Sequence, residues 1–193
     1  MKSTNLFVEL LVIGFGAIGW ILLIILSVFG YEWLLKINLK NISSISSFVP
    51  ILAVTYVLGI IVDRVADQLA LRSTIKINNK NYDKKTRPIP FYEDRRLVLS
   101  TDSPIAGLLQ YGRSRARICR GWAFNSIIIL IFLNVFLFVR LKGISSFWSI
   151  TICSNALFFC LFIGCCFSWV ILKNSEYIKT QEQADYLRGK DNK

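Results

Sequence analysis

Histidine is missing altogether from the 193 residues. Its absence removes the commonest metal ligand and the side chain that most readily carries protons near neutral pH. The chain also has no HExxH, no GxSxG and no glycine-rich phosphate loop. Metallohydrolase, serine-hydrolase and P-loop chemistries are therefore not expected. Five cysteines occur, Cys119, Cys153, Cys160, Cys165 and Cys166, with no CxxC spacing among them. Four share one apolar run, which argues for small, polarisable packing residues rather than a disulfide framework or a zinc site. No catalytic residue, metal or cofactor is expected, and the chain reads as a non-enzyme. Negative charge is scarce too: 12 Asp and Glu stand against 23 Lys and Arg, a formal charge of +11.

Apolar residues are what the chain has in excess. They make up 54% of it, 13% of all residues are aromatic, and mean hydropathy is +0.51. A soluble domain of this size cannot bury that much apolar surface, and the runs are long enough to cross a bilayer. The expected fold class is an all-α integral membrane protein with four transmembrane helices arranged as two hairpins.

The first span covers 6–29, after a short N-terminus at 1–5. At about 1.5 Å per residue it crosses a hydrocarbon core of about 30 Å. It lacks a small-residue cleavage site, so it reads as a retained anchor. Gly14, Gly16, Ala17 and Gly19 would allow close approach of a neighbouring helix, although their spacing is not GxxxG. A loop at 30–46 follows, with Tyr31 and Trp33 suited to the membrane–water boundary and Trp33–Ile37 suited to the outer surface. Span two covers 47–71 and includes an extension beyond the membrane, because Asp63-Arg64-Val65-Ala66-Asp67-Gln68-Leu69 continues as good helix-forming sequence. Span three covers 122–139, a turn occupies 140–143, and span four covers 144–172. So short a turn makes spans three and four an antiparallel hairpin.

Positive charge sets the orientation. Thirteen Lys and Arg lie between Asp63 and Gly121 and five follow Leu172, against Lys36 and Lys40 in one outer loop and Arg140 and Lys142 in the other. The central loop and both termini are expected in the cytoplasm of a bacterial cell, with the spans in the inner membrane. The tail is 173–193. The basic loop at 72–103 has an alternating Thr74-Ile75-Lys76-Ile77 that could pair with Leu97-Val98-Leu99 as a marginal hairpin. Arg87-Pro88-Ile89-Pro90 is expected to be extended. Ser103 and Pro104 read as the cap and first residue of a helix at 104–121 that runs into span three.

The most informative feature is charge patterning at the inner membrane surface. Asp63 and Asp67 are four residues apart and share a face of span two; Arg113, Arg117 and Arg120 share a face leading into span three. Asp63 is level with Arg120, and Asp67 with Arg117 about one turn further into the cytoplasm, so the two faces are expected to meet, within one chain or between subunits. A bland reading makes this a salt-bridge cluster that sets helix register. A functional one makes it a switch, or a dock for an acidic partner or anionic lipid head groups. Glu9 lies near the start of span one. An intramembrane acid suggests transport, but snorkelling to the head groups explains it more simply. Asn125, one turn into span three, is expected to hydrogen-bond a neighbouring helix. Ser154 and Asn155 are the main residues that could line a pore. Direct nucleic-acid binding is not expected, since topology already accounts for the basic loop.

Val62-Asp63-Arg64-Val65-Ala66-Asp67-Gln68-Leu69, Arg113-Ser114-Arg115-Ala116-Arg117 and Trp122-Ala123-Phe124-Asn125, with the four-span layout, resemble small four-pass proteins of bacterial defence loci. Among these the chain is similar to the KwaA family, the membrane subunits of the Kiwa anti-phage system; the membrane accessory proteins of type VI-B CRISPR loci are a rival. The Kiwa resemblance implies a tetrameric sensor of infection that holds a soluble, DNA-binding effector at the inner face. It carries over no catalytic residue. The reading that remains is an oligomeric membrane protein that recruits or regulates a cytoplasmic partner, with a channel or transporter subunit as the alternative.

Overall fold

The computed structural model describes residues 3–30, 32, 45–81, 89–100 and 104–191. Five α-helices account for nearly all of them: α1 (Ser3–Phe29), α2 (Ile45–Asn81), α3 (Phe91–Ser100), α4 (Pro104–Phe136) and α5 (Phe147–Asp191). The last turn of α4 widens into a π-helical segment, Leu137–Leu141. Among the described residues there is no strand. Stretches of α1, α2, α4 and α5 are long and apolar enough to cross a membrane, and only helices or closed barrels can bring a backbone through hydrocarbon without unmet hydrogen bonds. The chain is an all-α, multi-pass membrane protein.

Small residues decide how the helices touch. A Cβ on Gly14 would fall 1.9 Å from the Thr55 carbonyl oxygen, and one on Gly59 would fall 1.9 Å from the Leu10 carbonyl oxygen. The α1 and α2 backbones are therefore in contact, the close approach by which helices associate inside a bilayer. On its other side α1 meets α4. Where α1, α2 and α4 come together, Ile13 and Ala17 of α1 and Val62 of α2 form the buried centre, with Trp20, Leu58 and Phe124 packed against it. Asn125 of α4 is fully buried; its amide donates to the Ile13 carbonyl at 2.8 Å and accepts from the Trp20 indole at 3.2 Å. α4 and α5 form the hairpin. Asn134 and Asn155 exchange a reciprocal pair of amide hydrogen bonds across it, at 2.7 and 2.9 Å.

The far end of the bundle is tied by one side chain. α1 ends at Gly30, whose φ of +79° lets its N–H return to the Leu26 carbonyl at 3.0 Å, a left-handed helix stop. Arg140 donates to the carbonyls of Ser27 and Val28, satisfying acceptors that the end of α1 leaves open.

The opposite end extends well past any bilayer. α5 has 45 residues, roughly 67 Å at about 1.5 Å each, more than twice a hydrocarbon core of about 30 Å. Its excess length carries a second small core. Val98 of α3, Leu109 of α4 and Ala184 of α5 are buried together, flanked by Leu97 and Leu187. Phe91 meets Tyr177 edge-on at 4.4 Å between centroids. The Asp94 carboxylate, fully buried, accepts from Arg188 at 2.5 Å. α3 is thereby clasped across the end of α5.

Several sequence expectations change here. The segment 72–81 and the residues Leu97–Leu99 are helical, so the hairpin between them does not form. Helical spacing places Phe91, Asp94 and Val98 on one face of α3, and that periodicity outweighs the brief alternation. The stretch 173–191 is ordered helix rather than a tail, because Tyr177, Thr180 and Ala184 form a buried stripe on it. α5 begins at Phe147, three residues beyond the expected start of span four, and the turn is longer to match. Tyr31, Trp33–Ile37, Arg87-Pro88 and the Ser103 cap lie outside the described residues.

Candidate functional site

At the level where the bundle meets its platform, α1, α2, α4 and α5 converge on a cavity of about 500 Å³. Arg64, Arg113, Arg117, Arg120 and Lys173 contribute to its wall, with Asp63 and Asp67. Helical geometry assembles them. Asp63 and Asp67 lie one turn apart on α2, while Arg113, Arg117 and Arg120 follow one stripe of α4.

Arg120 is the link between α4 and α2. Its guanidinium bonds Asp63 at 2.8 Å and also pairs with Asp67. Arg117 reaches Asp63 only at 3.9 Å, and its main partner is elsewhere. It donates to Glu9 at 2.9 Å, and Ser114 donates to the other Glu9 oxygen. Glu9 is only 3% exposed. It does not snorkel: Arg117 and Ser114 satisfy the carboxylate from one face of α4, so it need not reach the head groups. Arg113 turns away from the acids of α2. It pairs with Glu176 of α5 at 3.2 Å, and Lys173 holds the same carboxylate at 2.8 Å.

Of the seven residues singled out from sequence, Asp63, Asp67, Arg117, Arg120 and Glu9 form one connected network within a single chain. Arg113 belongs to a neighbouring pair, and Asn125 lies deeper, in the α1–α4 seam. Sequence reasoning missed Ser114, Lys173, Glu176 and Trp169. Spacing offered a signal for the first, which lies three residues before Arg117 and so shares its face. Nothing local pointed to Lys173 and Glu176, since 173–193 read as a tail, and Trp169 read only as an aromatic anchor at one end of span four.

Charge-assisted bonds of this kind are strong where water is scarce, yet burying the ions is costly. The network joins α1, α2 and α4 at this level and presents a polar, cation-rich cavity. Among the described residues no cluster of carboxylates and cysteines is arranged to hold a metal ion. Asn155, a residue that could have lined a pore, spends its amide on Asn134 and the Thr151 carbonyl.

These features define a four-span helical membrane protein with a charged cavity at one end and a clasped platform beyond it. No family model, curated protein or solved structure matches the chain.

Proposed function

We propose that this protein is a non-enzymatic, oligomeric adaptor of the bacterial inner membrane, which holds or regulates a cytoplasmic partner protein as the membrane sensor of an anti-phage defence system would. The observation that carries the reading is the platform. Extending α4 and α5 and clasping α3 to them serves no membrane-spanning purpose, and the result is a small folded surface outside the bilayer. The excess of Lys and Arg on that side supports a cytoplasmic platform under the positive-inside rule. Tyr92, Arg96 and Leu99 are exposed on α3, an aromatic, cationic and aliphatic set of the kind that anchors protein interfaces. The resemblance to the Kiwa membrane subunit supports the same assignment, with a tetramer and a DNA-binding effector as its particular form.

The test is purification of the full chain from its native host in mild detergent, followed by native mass spectrometry, for wild type and for Tyr92→Ala/Arg96→Glu. A soluble protein present in fixed stoichiometry with wild type and lost from the variant is the expected result. Retention by the variant would move the dock away from α3. A homo-oligomer that no soluble protein joins would favour the channel or transporter reading, for which the buried Glu9 beside the cavity is the specific observation. In that case Glu9→Gln abolishes proton-coupled flux in liposomes.

A further inference from the structure

Two buried N–H groups beside the cavity have no hydrogen-bond partner: Nε of Arg120 and Nε1 of Trp169. Such groups are uncommon in folded proteins and costly when left unmet. Both residues also line a second opening, an apolar cleft of about 250 Å³ between α2, α4 and α5 whose walls include Leu69, Phe124, Ile127 and Phe162. Arg120 and Trp169 thus stand where the charged cavity gives way to the apolar cleft, and Trp169 is only 7% exposed.

The charges leave a definite remainder. Five cations line the cavity. Asp63 and Asp67 in the wall, with Glu9 and Glu176 behind it, supply four carboxylates. Arg64, on the exposed side of the cavity wall, has no carboxylate within ion-pair distance among the described residues and is free to take a ligand's charge. What would complete the site is one negative charge, oxygen acceptors for two N–H donors, and an apolar extension beside them. A phosphodiester on an acyl chain has all three. Arginine forks and ring N–H groups at a membrane boundary suit its oxygens, and cationic pockets between helix ends are where anionic head groups bind.

We infer that this protein binds one anionic phospholipid per chain. The head group occupies the charged cavity, the phosphodiester or ester oxygens accept from Arg120 and Trp169, and an acyl chain lies in the cleft of α2, α4 and α5. The inference is independent of the adaptor reading: lipid occupancy is measured without any protein partner.

The full chain, reconstituted in phosphatidylcholine nanodiscs containing a minority of phosphatidylglycerol, would be released into the gas phase and its retained lipids counted by native mass spectrometry. One phosphatidylglycerol per chain, held in preference to phosphatidylcholine, is expected. Trp169→Phe keeps the ring and removes only the N–H, and should weaken retention about tenfold. Ala123→Leu, which narrows the cleft and leaves every charge in place, should weaken it as well. Equal retention of the two lipids by wild type overturns the proposal, as does unchanged retention by both variants; should one variant fail to fold, the other decides. Displacement of phosphatidylglycerol by millimolar inorganic phosphate or glycerol phosphate would reassign the cavity to a free phosphate and overturn the lipid.

Discussion

The charged cavity and the platform clasp both join helices through arginine and carboxylate, but they are wired differently. In the cavity two arginines are shared among three acids: Arg120 holds Asp63 and Asp67, and Arg117 holds Glu9 with Asp63 at its edge. In the clasp Asp94 meets Arg188, which also reaches Asp185 at 3.7 Å, and apolar packing of Val98, Leu109 and Ala184 supplies the rest. A network shares the loss of one member unless that member is the main partner of a buried charge. A small core with one principal ion pair fails locally instead. The cavity should therefore govern the stability of the bundle, and the clasp only the attachment of α3.

The largest effect is expected at Arg117. Arg117→Leu leaves Glu9 buried without its cation, a loss of about 3–5 kcal/mol by comparison with other broken buried pairs. Thermal unfolding in detergent measures it, and Glu9→Gln/Arg117→Leu should recover part of the loss because no charge is then stranded. A double variant no more stable than the single one would mean that Glu9 is not the reason. Arg188→Leu ranks second, at about 1.5–3 kcal/mol for the loss of one hydrogen bond to a charged group. Its signature is spatial: hydrogen exchange should quicken in 91–100 and 177–188 while the spans stay protected. Uniform loss of protection would show that the clasp and the bundle unfold together. Asp67→Asn should do least, within about 1 kcal/mol, since its side chain is 56% exposed and Arg120 keeps Asp63. A melting shift as large as that of Arg117→Leu would contradict the division drawn between the two regions.

Much of the bundle was legible before any coordinates. Apolar runs of bilayer length mark the spans whatever their neighbours, and a turn of a few residues leaves α4 and α5 no choice but to be antiparallel. Asp63 and Arg120 could be matched because both helices cross the same plane; Asp67, expected level with Arg117, pairs with Arg120 instead, and Arg117 takes Glu9 from α1. Gly14 and Gly16 were visible as sites of close approach, though which helix fills each was not: Gly14 faces α2, and Gly16 faces Asn125 of α4. The fate of Glu9 was misread for a related reason. Snorkelling and ion pairing look alike from position alone, and only the placement of α4 beside α1 brings Arg117 and Ser114 within reach.

The platform was the least legible part. Its residues are polar enough to read as loop and tail, and the stripes that order them are short: Phe91, Asp94 and Val98 on α3, and Tyr177, Thr180 and Ala184 on α5. Neither stripe can form a core alone, so neither gives a strong local signal. The sequence by itself determined the class of protein, the number of spans and their hairpin order, because hydration of apolar side chains is a property of each segment separately. Tertiary structure alone decided which arginine serves which acid, that Arg120 and Trp169 each leave an N–H beside the cavity without an acceptor, and that α3 is clasped to α5. Those outcomes depend on distances between side chains far apart in the chain, which only the packed helices set.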